Sequence, residues 1–384
     1  MLVMALGAAA ALWPRSPDAV PALTDFDRYV YVASRGAPEV TVIDGKTDRI
    51  VTTVHLDAIP GQIVVSKATA SLVASDPAHK TLTMIDLEHL EVRTVINLDI
   101  VPDHMQMSPD GYLVAVGDVS RGSVAIVSLY QRRQLSLIDG LSKPYNLTFG
   151  AGGSMIYVAN RGAGHISVID VSQGKVINEI PISTASSSRR GADGRNVPER
   201  GVTNVTGTPN GRFAFATTDD DDVLAVVDLD RNAVAKTLPL GKRPWRAYAT
   251  ADGRFMMVPN NGDKTVSVVS TTSLETVATV SGVADAVAVN TGWFDSVAFV
   301  ISRGENKAIV IDLINMKLAG GIALPGSPGP GVVTPDGKKL YVALSGSNKM
   351  AVIDMRYRRL ATVIDNVGTQ PWGATMGHSN NYCH

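Results

Sequence analysis

One spacing limits what this chain can fold into. The stretch MIYVANRGAGHISVID closes on Asp170, and the equivalent positions along the chain are Asp44, Asp86, Ser128, Asp170, Asp228, Ser270, Asp312 and Asp354. Six of the seven intervals between these markers are 42 residues long, and the seventh is 58. Each marker ends a β-branched run such as TVID, AIVS, AVVD or SVVS. A fixed period of roughly 40 residues is the signature of a repeat architecture, whose units bury their apolar faces only against one another. No segment carries the 3.6-residue periodicity that an α-solenoid needs.

Each unit divides into four short strands. In the third, strand A is expected near Met105–Ser108, strand B over Tyr112–Val116, strand C over Val124–Leu129 and strand D over Arg133–Ile138. Pro109-Asp110-Gly111 turns A into B, and Pro209-Asn210-Gly211, Ala251-Asp252-Gly253 and Pro335-Asp336-Gly337 repeat that turn. Proline presets φ early in such a turn, and Gly tolerates positive φ late in it. Four strands per unit describe a propeller blade. The first unit starts at strand B (Tyr29–Ala33), and the piece Gln370–Met376 matches the starts of strand A at Lys143-Pro-Tyr-Asn and Arg243-Pro-Trp-Arg. The expected fold is therefore all-β, an eight-bladed β-propeller of four-stranded blades closed by the C-terminal strand completing the first blade. A closed ring leaves no open sheet between first and last blade.

The expected organisation is a signal peptide over residues 1–22, one propeller domain over 23–377 and a tail over 378–384. The apolar run Met1–Trp13, Pro14 and the small-residue site Val20-Pro21-Ala22 support export to the periplasm or outside the cell, although no basic residue precedes Arg15. No other segment approaches the roughly 18 apolar residues of a membrane span. The long interval is 42 plus 16, and its extra residues, 184–199, are rich in Gly, Ser, Asp and Arg, as an exposed excursion between blades should be. A net charge of −1 gives no electrostatic case for nucleic acid. A single cysteine, Cys383, excludes an intrachain disulfide and a CxxCH site for covalent c-type haem.

Function is sought where the repeats differ. In a propeller, the D-to-A and B-to-C connections share one face, around the mouth of the central channel. The residue starting strand A, 24 before the marker, reads Gln62, His104, Asn146, Asn204, Arg246, Ala288 and Pro330, and the closing strand adds Trp372. One position earlier stand Asp103, Tyr145, Thr203, Trp245 and Pro371; Tyr145 and Trp245 offer a stacking surface with a polar handle. Nine before the marker, on the B-to-C loops, Arg35, Arg161 and Arg303 each sit in an (S/N)-R-G sequence, with Arg121 nearby in the third blade. Arginine forks bind carboxylate or phosphate bidentately, so this face reads as a mouth for an anionic ligand or cofactor. The basic insertion, with Arg189, Arg190, Arg195 and Arg200, leaves the same face and would serve as a lid or as a docking surface for a partner protein. The same arginines also suit solvated turns, and side chains starting strand A can pack between blades.

His104 is the only histidine in the strand A ring and the candidate metal ligand; His79 and His165 lie further out. Of the tail residues His378, Cys383 and His384, His378 falls at the A-to-B turn position, on the opposite face by alignment, and Cys383 could still be modified or bind a soft metal. Asp219–Asp222 reads as a solvated loop without EF-hand spacing. No G-x-S-x-G, HExxH or P-loop sequence is present, and recurrent carboxylates such as Asp44 and Asp354 read as turn residues.

The YVxN…VxVID pattern with PDG turns resembles the YVTN-type propellers over residues 28–376. Blade number and the short polar tail also resemble the d1-haem propeller of cytochrome cd1 nitrite reductases, without the cytochrome c domain. The first resemblance implies a binding or surface protein. The second implies a cofactor-dependent propeller. The ring residues themselves suggest a site in which His104 would ligate a metal or tetrapyrrole iron, Arg246 and the loop arginines would pair with its carboxylates, and Tyr145, Trp245 and Trp372 would cover its faces. An interaction scaffold, or an accessory subunit of a periplasmic redox or transport complex, stands beside these readings, as does a cofactor-dependent oxidoreductase of the d1 type.

Overall fold

The computed structural model describes residues 22–182, 188–190, 196–198, 201–218, 221–292 and 296–377. Eight four-stranded antiparallel sheets form a closed propeller. The innermost strands A are, from blade 1 to blade 8, Pro371–Thr375, Ile63–Ser66, His104–Met107, Pro144–Phe149, Val202–Gly207, Tyr248–Ala249, Ala286–Gly292 and Pro328–Val333. Blade 1 takes its strand A from the C-terminal end, where Tyr31 pairs with Thr375 and Ser34 with Pro371. The ring closure expected from the sequence is borne out. Strand A of the third blade starts one residue earlier than expected, so His104 lies within the sheet and pairs with Gly117.

The core sits between blades rather than within them. Each of the eight apolar clusters joins two neighbouring blades, and together they account for every interface of the ring. The reason is period two: in the inner strands successive side chains face opposite neighbouring sheets and both faces are apolar, so stacked blades bury both.

The marker residues are what the turn requires. Asp44 Oδ1 accepts from the Lys46 N–H at 2.9 Å, Asp170 Oδ1 from Gln173 at 2.9 Å and Asp354 Oδ1 from Tyr357 at 3.0 Å. Ser128 does the same through Oγ, at 3.0 Å from the Gln131 N–H. Four residues after every marker the backbone is left-handed, from Asp48 (φ 56°) through Leu90, Arg132, Gly174, Asn232, Leu274 and Met316 to Arg358 (φ 53°). All eight C–D pairings then carry a register shift. A turn ending in a left-handed residue and a bulge is the three-to-five-residue hairpin that the right-handed strand twist favours.

Of the 184–199 insertion, Ser188–Arg190 pairs with Asn196–Pro198 as a two-stranded ribbon. Residues 1–21 and the tail 378–384 lie outside the described residues, as do Arg195, Arg200, Asp219 and Asp220. Among the described residues no helix is long and apolar enough to cross a membrane.

Candidate functional site

A bulge at the start of strand A builds the site. Between Pro144 and Asn146 the A–B register shifts, which pushes Tyr145 out of the ladder. In blade 6 the break is wider: Pro244 bridges to Asn260, strand A resumes only at Tyr248, and Trp245 and Arg246 occupy the gap. In blade 1 the shift falls between the partners of Ser34 and Val32, which are Pro371 and Ala374. This register corrects the sequence alignment by one residue. Trp372 belongs to the column of Tyr145 and Trp245, and Gly373 takes the place expected for Trp372.

Each aromatic of that column lies under a guanidinium. The Arg161 Cζ is 4.7 Å from the Tyr145 ring centroid and the Arg246 Cζ 5.7 Å from that of Trp245. Trp372 carries two, Arg35 at 3.8 Å and Arg303 at 4.7 Å. Arg303 comes from blade 7 and reaches past blade 8, whose strand A begins Pro328-Gly-Pro-Gly331. Gly329 lies against the indole, with Trp372 Cε3 3.4 Å from where a Cβ would stand, an ordinary contact distance. Burial and the neighbouring Arg303 charge both push the Arg35 guanidinium below its usual range. Cation–π contact contributes about 0.5–2 kcal/mol each and holds these forks in place without neutralising them.

Six of the expected site residues meet in one cavity of about 260 Å³ on this face: Arg35, Gln62, His104, Tyr145, Arg246 and Trp372, joined by Asp103 and Val119. Burial raises the Asp103 carboxyl, and the Val119 N–H donates to it at 2.9 Å. Arg35, Arg246 and Arg303 form no ion pair with any described carboxylate, and Arg246 Nε is buried with no hydrogen-bond acceptor. A buried N–H donor left unmade costs about 1–3 kcal/mol, which an acceptor placed at Arg246 Nε would recover.

The amides 24 before the marker join blades. Gln62 accepts from the Met105 N–H at 2.7 Å and donates to the Met105 carbonyl at 3.1 Å. Asn146 Oδ1 accepts from the Val205 N–H, and Asn204 Oδ1 from the Ala247 N–H, each at 2.9 Å. Asn146 and Asn204 are buried, at 7% and 2% exposure, and do not line the cavity. Trp245 is partly exposed, outside the cavity lining. Arg121 is held by Asp139 (Nε to Oδ1 3.0 Å) and by the Asp99 carbonyl. His79 pairs with Asp76 and His165 with Glu179. Among the described residues the only three potential metal ligands that converge are Asp86, Glu88 and His89, where Arg93 and two backbone N–H groups already engage Asp86.

The YNCE-like beta-propeller family matches residues 206–381. The chain is 31% identical over 162 residues to the seven-bladed beta-propeller protein Rv1057 of Mycobacterium tuberculosis, a match covering 41% of each, so the likeness spans about two-fifths of that relative's length. Among solved structures it is similar to dihydro-heme d1 dehydrogenase NirN in complex with DHE (TM-score 0.75, 16% identity, 92% of this chain and 76% of that one). It is also similar to apo AztD from Citrobacter koseri (TM-score 0.67, 15% identity, 91% and 98%) and to Kuenenia stuttgartiensis hydrazine synthase (TM-score 0.58, 18% identity, 77% and 95%). At these identities the structures share the fold alone. Both resemblances read from the sequence, to repeat-type propellers and to the d1-haem propeller, are thereby borne out at that level.

Proposed function

We propose that the protein is an exported binding propeller whose arginine- and aromatic-lined mouth takes a planar, anionic organic ligand. The observation that carries this reading is the buried, acceptorless Nε of Arg246, set in a cavity with Arg35 and the Trp372 indole. Carboxylates of the ligand would answer the guanidiniums, and its flat body would lie against Tyr145 and Trp372. That NirN is solved with DHE makes a carboxylated tetrapyrrole the first class to try. Protoporphyrin IX, titrated against the protein and followed by quenching of tryptophan emission, should bind saturably. Arg246→Gln should weaken it by about tenfold or more, as the loss of a charged hydrogen bond does. Absence of saturable quenching would refute the reading. Export is tested by fractionation of expressing cells.

The paired ribbon on the insertion favours a second reading, a protein partner on the same face. It predicts capture of a periplasmic or membrane protein by the native chain, lost on charge reversal at Arg189 and Arg190.

A further inference from the structure

The polarity of a hydrogen-bond chain through blades 3 to 6 fixes the state of His104. Backbone N–H groups only donate, so the Ala247 N–H makes Asn204 Oδ1 an acceptor, and the Val205 N–H does the same for Asn146 Oδ1. Asn204 Nδ2 also donates to Asn146 Oδ1, at 3.2 Å. With its oxygen facing two donors, Asn146 turns its NH2 group toward His104, Nδ2 standing 3.3 Å from Nε2. An amide nitrogen has no lone pair to offer, so His104 Nε2 must accept. The imidazole is then neutral, with its proton on Nδ1.

A metal-ligating histidine uses a lone pair on one ring nitrogen while the other N–H is held by an acceptor. His104 is arranged the other way round. Ligation through Nε2 would strip the acceptor from Asn146 Nδ2, a group with 7% exposure whose oxygen cannot turn away. Ligation through Nδ1 would move the proton to Nε2 and set two N–H groups against each other. The arginines fit the carboxylates of a tetrapyrrole; the histidine does not fit its metal.

We infer that His104 is a positioning residue locked as the neutral Nδ1–H tautomer, and that the mouth selects planar anions without ligating a metal. This rests on the binding reading above, but the tautomer is measurable without any ligand. Nitrogen-15 spectra of the native chain should show a pyridine-type Nε2 and a pyrrole-type Nδ1 for His104, assigned by their loss in His104→Gln. Haemin and metal-free protoporphyrin IX should bind within about threefold of each other. The haemin spectrum should lack a histidine–iron signature and be unchanged in shape by His104→Ala. A pyrrole-type Nε2, or haemin binding tenfold or more tighter with a histidine-ligated spectrum lost in His104→Ala, would overturn the inference. If neither porphyrin binds, the binding reading falls, and the nitrogen spectrum alone decides the tautomer.

Discussion

Tyr31 and Tyr341 hold the same place in blades 1 and 8, both fully buried, and only Tyr341 has a partner for its hydroxyl. Tyr341 donates to Asp48 in the C–D turn of blade 1, where Lys339 Nζ also meets Asp48 at 2.8 Å. Tyr157, in the same place in blade 4, reaches Asn232 at 3.0 Å and the Leu229 carbonyl at 3.2 Å in blade 5. The corresponding turn residue of blade 2 is Leu90, which shares an apolar cluster with Tyr31, and the Tyr31 hydroxyl is buried without an acceptor. Blades 5 and 7 place Phe215 and Phe299 at this position.

Tyr31→Phe should therefore be neutral or stabilising by up to about 1 kcal/mol, since it removes an unsatisfied buried hydroxyl. Tyr341→Phe should cost about 1–2 kcal/mol at the closing interface. Denaturant melts of the two variants decide it: equal losses would refute the assignment.

The left-handed turn residues make a paired prediction. Arg132 holds φ 55° and is exposed, whereas Gly174 fills the equivalent place with φ 61° and has Ser136 Cβ 3.0 Å from where its own Cβ would stand. Arg132→Gly should raise stability by about 0.5–1 kcal/mol, and Gly174→Ala should lower it by more, because L residues resist this conformation. Thermal melts of both variants read the opposite signs.

Asp44 links the lead-in to the ring. Its carboxylate accepts from Arg28 Nε at 2.8 Å, and this bond, ahead of that from the Lys46 N–H, holds its pKa down to about 2. A carboxyl depressed in the folded state stabilises it above the unfolded value near 4, and that contribution fades as pH falls through about 2. Because Arg28 is one-third exposed, solvent screening limits the gain to about 1 kcal/mol. Asp44→Asn should be less stable than the parent by that amount at pH 7, with the difference shrinking as pH falls from about 4 toward 2.

What was legible in the sequence follows from what repeats. Step counting found the markers, the closing strand and the face on which Arg35, His104, Tyr145, Arg246 and Trp372 meet, because connection order fixes which loops share a face. The one-residue slip at Trp372 arose because no marker follows the closing strand; the Pro-aromatic pairs Pro144-Tyr145, Pro244-Trp245 and Pro371-Trp372 give its register directly. The use of Gln62, Asn146 and Asn204 between blades was hidden because a buried amide and a ligand-facing amide look alike in sequence. The reach of Arg303 to Trp372 joins blade 7 to blade 1 across blade 8, a contact that stepping from one repeat to the next does not reveal.

The lock on His104 can be opened at Asn146. Asn146→Ala leaves the Val205 N–H and the Asn204 amide without their shared acceptor, which should cost about 2–3 kcal/mol in a melt. It also removes the Asn146 amide donor from Nε2. Haemin bound to Asn146→Ala should then acquire the histidine-ligated spectrum that the parent lacks, and its affinity should rise about tenfold over that of protoporphyrin IX. His104→Ala in the same background should abolish both changes. A folded Asn146→Ala protein whose haemin spectrum matches the parent would show that something other than this amide keeps His104 from the metal.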